Sequence, residues 1–328
     1  MKTFVSNRSI TGCFKQSALT LALLAGLTAS APAQLLYQWN FDTAVSGTTV
    51  APNVAVGGGG GLTMNYGGVA TDLYGPLGGG VSGGAGDRAF ANNNNTYNNS
   101  AQGGVVQSTA GDMNIGALSQ FTLTGWIKAD GGFSANTANS FKRLFVIGQG
   151  TPDVGSANSI GVATYTANNA NGTNSFQLKL GGAGGNIAGP NGGDGLLTGA
   201  DTLTPFGSGW TFFAVSADLS LTANNVSIYF GSQGSLNSPL TFSFNNAGVA
   251  IGSINLGATA SALLLNNSSR ARGFDGFGDD FRLYSGALDA ATVEGIRFAA
   301  TPVPEPGVGA LVGLGLLVVI GAVGRRNV

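Results

Sequence analysis

The chain has 328 residues, of which 9 % are charged, with 56 glycines, a single cysteine and no histidine. So much Gly, together with many Asn, Ser and Thr, disfavours long helices and favours short strands joined by turn-rich loops. Without histidine, Ser-His-Asp and Cys-His catalysis are excluded, as is zinc held through imidazole.

Lys2, Arg8 and Lys15 precede an apolar run from Ala18 to Ala29, and Ala31-Pro32-Ala33 follows it. A basic start, a short apolar stretch and a small-x-small site read as a secretory signal peptide over residues 1–33, cut before Gln34. A buried helix is the alternative use of the same run. Cys13 lies inside this segment, so the exported chain has no disulfide and no thiolate chemistry, and its stability must come from core burial.

Residues 34–301 fit one large all-β domain. They carry nine Lys or Arg against thirteen Asp and one Glu, a net charge near −5 that makes nucleic acid and anionic lipid poor partners. Leu35, Tyr37, Trp39 and Phe41 recur with the period of two that a half-buried strand requires. The same period marks FTLTGWIK from Phe121, Phe176/Leu178/Leu180, WTFFAVSADLS from Trp210, NNVSIYFGS with Val226/Ile228/Phe230, and DDFRLYSGAL from Asp279. Leu144 to Ile147 form a short buried run. After the last strand, Asp289 can cap a helix that carries Val293 and Ile296 on one side. Gly57 to Gly61, Gly181 to Gly195 and Asn92 to Asn99 read as surface loops. None of the glycine runs opens a helix or contains Gly-Lys-Ser/Thr, so none reads as a phosphate cradle. The sequons at Asn171, Asn225 and Asn267 carry no weight in so Asn-rich a chain.

Behind the domain, residues 302–328 hold Pro304-Glu305-Pro306, an uncharged apolar run from Gly307 to Val323, and Arg325-Arg326. Seventeen residues at about 1.5 Å each reach roughly 26 Å, just short of the ~30 Å hydrocarbon core. Arginines beyond an apolar helix stay cytoplasmic, which places the domain on the far side of the membrane.

The strand segments LLYQWNFD, FTLTGWIKAD, WTFFAVSADLS with NNVSIYFGS, and GFDGFGDDFRLYSGALDAATVEGI resemble, in order and spacing, the laminin-G-like branch of the concanavalin A-like lectin/glucanase superfamily. That resemblance implies an all-β fold, a jelly-roll sandwich of two antiparallel sheets with its first and last strands adjacent and a short C-terminal helix after the last strand. A separate transmembrane helix would follow. The tail resembles the PEP-CTERM sorting signal, with Pro304, Glu305, Pro306, the apolar helix, Arg325 and Arg326 all present. It implies an exosortase-type transpeptidase as partner, transient holding in the inner membrane, and delivery to the cell surface or exterior. A plain membrane anchor uses the same residues.

Retaining glucanases of that superfamily need two carboxyls ~5–5.5 Å apart, and the domain's one glutamate, Glu294, falls in the predicted helix. Asp275, Asp279 and Asp280 remain conceivable as an inverting pair, but nothing in their spacing singles out an acid. No catalytic residue is therefore assigned. Calcium takes 6–8 oxygen ligands, and Asp42 at the end of the first strand with Asp279 and Asp280 at the start of the last are its candidate ligands. The resemblance carries Asp42 and Asp279 onto plausible ligand positions. The alternative is that Asp42 closes a turn and Asp280 caps a strand end or pairs with Arg272 or Arg282. Trp39, Trp126 and Trp210 sit within strand patterns and read as core; Tyr66, Tyr74 and Tyr97 lie in loops, freer to meet a ligand. No ligand-binding residue follows from the sequence. The expected function is a non-catalytic, exported surface or matrix protein whose domain binds an exopolysaccharide or another surface glycan, with a purely structural biofilm protein or a glycosidase as alternatives.

Overall fold

A computed structural model describes residues 33–42, 49–55, 60–66, 69–70, 73–92, 104–107, 113–130, 141–150, 153–165, 175–199, 201–265 and 273–301. The signal segment up to residue 32 and the whole tail, with Pro304, Glu305, Pro306, Arg325 and Arg326, lie outside them, as do Tyr97, Asn171, Asn267 and Arg272. The chain separates into Met1–Ala33 and Gln34–Val328, and the second unit is described here. Among the described residues no helix is long and apolar enough to cross a membrane.

Two large antiparallel sheets make up the domain. The first runs Leu35–Trp39, Gly276–Tyr284, Gln120–Ala129, Thr211–Asp218, Val226–Gly231 and Leu240–Phe242, with Phe90–Asn92 also paired to Gly276–Tyr284. The second runs Gly185–Asn186, Ser175–Gly182, Ser159–Tyr165, Phe141–Gln149, Ala260–Leu264, Gly104–Gln107, Leu62–Tyr66 and Val50–Ala51, with Leu196–Leu197 and Val69–Ala70 attached at its flanks. The first and last strands are neighbours, Trp39 lying opposite Phe281.

Aromatic side chains join the sheets face to face. Phe145 of the second sheet meets Phe281 at 5.5 Å and Trp39 at 5.9 Å, and Phe176 meets Phe213 at 5.5 Å and Phe230 at 5.3 Å. Each such ring buries 150–250 Å², about 4–6 kcal/mol of transfer free energy at 25 cal/mol per Å². That burial substitutes for the disulfides this chain lacks. Trp39, Trp126 and Trp210 are all buried, as their strand positions predict. Gly181 and Gly182, expected in a loop, instead end the strand Ser175–Gly182; a Cβ on Gly181 would collide with the Ser156 carbonyl oxygen, so the glycine serves close backbone approach.

The strand Gln120–Ala129 departs from half-burial, because its Thr122, Thr124 and Trp126 are as buried as its Phe121, Leu123 and Ile127. The cause is the helix Ala290–Ala299, which lies over the outer face of the first sheet. Val293 and Ile296 pack there with Trp126, Trp210, Phe212, Tyr229 and Tyr284, and Val81 and Ala89 complete this second, smaller core. Asp289 caps the helix as expected, accepting the Thr292 N–H at 2.8 Å. Thr122 Oγ1 accepts the Leu288 N–H and donates to the Gly286 carbonyl, fixing the helix entry. Arg297, buried, fixes its exit: the guanidinium holds Glu294 at 2.6 and 2.7 Å and donates to the carbonyls of Ser232 and Gln233. The helix is therefore fixed at both its ends against the first sheet and the Ser232–Gln233 turn.

Candidate functional site

At the end where the helix finishes, a cavity of about 250 Å³ opens beside the edge formed by the first and last strands. Gln38, Asn40, Asp42, Ser82, Asp87, Asp279, Asp280 and Arg282 supply its polar wall, and Val81, Ala299 and Ala300 the rest. Asp42, Asp279 and Asp280, far apart in sequence, are thus brought together. Asp87 joins them without any sequence signal of its own.

Two backbone irregularities aim these carboxyls. Trp126 pairs with Asp279 and Thr124 with Arg282, so three steps on the last strand match two on its neighbour, a β-bulge at Asp280 and Phe281. Simple alternation would set Asp279 with Phe281, toward the core. The extra residue sends Asp279, Asp280 and Arg282 outward together while Phe281 still points inward. Asp280 takes φ 45° to do so, and Phe41, just before Asp42, takes φ 56°. A left-handed conformation costs a non-glycine residue about 1–2 kcal/mol, and here both instances border the cavity. Gly125 faces the bulge, and a Cβ there would stand 2.7 Å from Phe281 Cδ1.

The loop 73–89, ahead of the strand Phe90–Asn92, brings Asp87. Its Oδ2 accepts Ser82 Oγ at 2.7 Å and the Gly83 N–H at 2.8 Å, so the loop closes on the carboxylate. Gly80 passes so near that an added Cβ would collide with Asp87 Oδ1. The Asp87 carboxyl stands beside Asp42, which accepts Asn40 Nδ2 at 2.8 Å. Partial burial, and next the Asp87 carboxyl, push Asp42 up to about 7. Asp42 keeps an exposed edge. Water there weakens the burial contribution. Burial likewise raises Asp279 well above the carboxylate range, opposed by the Val81 N–H that its Oδ2 accepts at 3.0 Å; its Oδ1 accepts the Asp280 N–H at 2.7 Å. Asp280 takes a two-point ion pair from Arg282, at 2.9 Å to Oδ1 and 2.7 Å to Oδ2, with Gln38 Nε2 at 2.7 Å on Oδ1.

Calcium fits this arrangement in part. Asp280 is committed to Arg282, which is the pairing that competes with a metal role. Among the described residues no group of three acidic side chains converges closely enough to hold a metal ion. Asp42 and Asp279 remain, with Asp87 beside Asp42, and the other oxygens of a site of 6–8 would have to come from amides, backbone carbonyls and water. Asp275, considered for an acid pair, is raised to about 6 by burial and does not line the cavity. Tyr74, expected to be free, packs against Phe41 and donates to the Val50 carbonyl. Asn225, which opens one of the sequons named above, is buried with its amide bound to the Leu221 and Phe244 carbonyls, which removes it as an acceptor for a sugar chain.

No family model matches the chain, and no curated protein does. Among solved structures it is similar to domain 4 of AbnA, a GH43 extracellular arabinanase from Geobacillus stearothermophilus, in complex with arabinotriose: 16 % identity, 81 % of this chain, 98 % of that one, TM-score 0.46. It is also similar to the botulinum neurotoxin serotype G binding domain, at 14 % identity over 81 % of this chain and 51 % of that one, TM-score 0.47. A third is the serotype D ligand binding domain in complex with N-acetylneuraminic acid, at 10 % identity over 80 % and 51 %, TM-score 0.42. The chain spans about half the length of the two toxin chains, and at these identities and scores nothing of their chemistry is carried to it.

Proposed function

We propose that this chain is an exported, non-catalytic β-sandwich of the laminin-G-like jelly-roll type that binds a hydroxyl-rich surface glycan in the cavity at the first and last strands. The observation that carries this reading is the composition of the wall. Carboxylate acceptors stand among the amide, hydroxyl and guanidinium groups of Gln38, Asn40, Ser82 and Arg282, and Asn40 Oδ1 is buried without a partner. A sugar hydroxyl both donates and accepts, so it suits alternating donors and acceptors of this kind. The non-catalytic part of the reading rests on the domain's single glutamate, Glu294, which lies in the C-terminal helix paired with Arg297 and does not line the cavity.

Export and sorting rest on the sequence: the 1–33 leader, and the tail with Pro304-Glu305-Pro306 that an exosortase-type transpeptidase would process. Retention of the full chain on purified host exopolysaccharide, compared with Asn40→Ala, tests the binding. A loss of tenfold or more in the variant at unchanged melting temperature is expected. No retention on any glycan tried would leave the purely structural reading, and reducing-sugar release would reinstate an enzyme.

A further inference from the structure

We infer that the cavity works in cis, on glycan belonging to the same surface that holds the protein; this rests on the glycan-binding and surface-held reading above. Two of its wall residues, Ala299 and Ala300, are the last turn of the C-terminal helix and the residue after it, where the chain leaves the sandwich. That exit cannot swing freely away from the cavity. Arg297 ties the helix to the carbonyls of Ser232 and Gln233, and Gln233 Nε2 donates to the Val81 carbonyl on the opposite wall.

From Thr301 to Gly307, where the apolar run begins, there are six residues, which span at most about 21 Å fully extended. Whether a membrane takes up that run or a transpeptidase joins the chain to a surface at Pro304-Glu305-Pro306, the cavity lies at the tethered end. The other end of the sandwich is a strand length away. Thr211–Asp218 leads from the Ile127 level beside the cavity to the turn at Leu221–Asn225, eight residues at about 3.3 Å, roughly 26 Å. Val249, exposed, is bridged to Asn246, and the neighbouring Asn245 bonds the Thr222 carbonyl, so Val249 marks that far end. Beyond the Asp280–Arg282 pair the wall holds three acidic side chains, Asp42, Asp87 and Asp279, and no cation, so an anionic headgroup finds no partner there, which leaves a neutral or amine-bearing polymer of the same surface as the partner.

Two measurements test this with the full chain carrying Cys13→Ser. In the first, a donor dye is placed by Ser82→Cys or by Val249→Cys, and acceptor lipids are included in vesicles holding the protein. Transfer several-fold stronger from position 82 is expected, and an insert of twenty Gly/Ser residues after Thr301 should remove the difference. Equal transfer, stronger transfer from 249, or none from either overturns the tethered geometry whether or not any glycan binds. In the second, a photo-crosslinker at position 82 is activated on host cells mixed with isotope-labelled cells lacking the protein. Unlabelled crosslinked carbohydrate supports the inference, and labelled carbohydrate overturns it. Crosslinks without carbohydrate, beside a positive transfer result, refute the glycan reading and with it the cis role, while the end-on geometry stands.

Discussion

Changing Asp87 to Asn replaces the carboxyl facing Asp42 with an amide of the same shape. The amide oxygen can still accept from Ser82 and Gly83, while its NH₂ can donate to Asp42. In the parent, Asp42 titrates at about 7 when folded against 3.8 as its ordinary value, so folding takes up a proton. A raised carboxyl lowers stability as pH climbs: the loss is absent below about pH 4, grows up to about pH 7 and is constant above it. At about 1.36 kcal/mol per pH unit a fully buried group would lose about 4 kcal/mol, and the exposed edge of Asp42 reduces this to about 1–2 kcal/mol. Burial, the larger cause, stays in the variant, so Asp87→Asn should match the parent near pH 4 and exceed it by no more than about 1 kcal/mol at pH 8, about 2–4 °C in Tm for a domain of this size. Asp279, raised by burial, retains part of the pH slope in both proteins. Thermal melts from pH 4 to 8 decide it. If the variant is less stable at pH 8, or its slope equals the parent's, the carboxyl pair is not the source of strain.

Gly125→Ala should cost about 1–3 kcal/mol in a denaturant melt, because the new methyl meets Phe281 at 2.7 Å and Phe213 at 3.0 Å in a packed core. Asp289→Ala removes the helix cap, and hydrogen exchange should quicken at Thr292 and its neighbours while the strand Thr211–Asp218 stays protected. Calcium added after chelation should move Tm by no more than about 1 °C; a rise of several degrees would return Asp42 and Asp279 to the role of ligands.

Much of the fold is legible in the sequence because period-two patterns survive folding. The strands around Phe121, Phe176, Phe212, Ile228 and Phe281 are where alternation puts them, and Asp289 with Val293 and Ile296 specifies the helix. What the pattern cannot carry is a second layer: Thr122 and Thr124 look solvated in FTLTGW, and only the helix arriving from 170 positions downstream makes them interior. The same limit hides Asp87, whose neighbours Gly83, Gly84 and Gly86 read as an ordinary flexible loop.

The bulge sets the deeper limit. In Gly-Asp-Asp-Phe-Arg, alternation allows one aspartate to face outward, and calcium ligation by Asp279 and Asp280 together would require both to do so. One inserted residue meets that requirement, but it also places Arg282 within reach of both Asp280 oxygens. The irregularity that gathers the acids thus neutralises one of them. The acidic pair, in the middle of the strand Gly276–Tyr284 and not at its start, therefore gives the polar wall one carboxyl paired to arginine and one held by backbone N–H groups, and Gly125 makes room for the bulge that allows it.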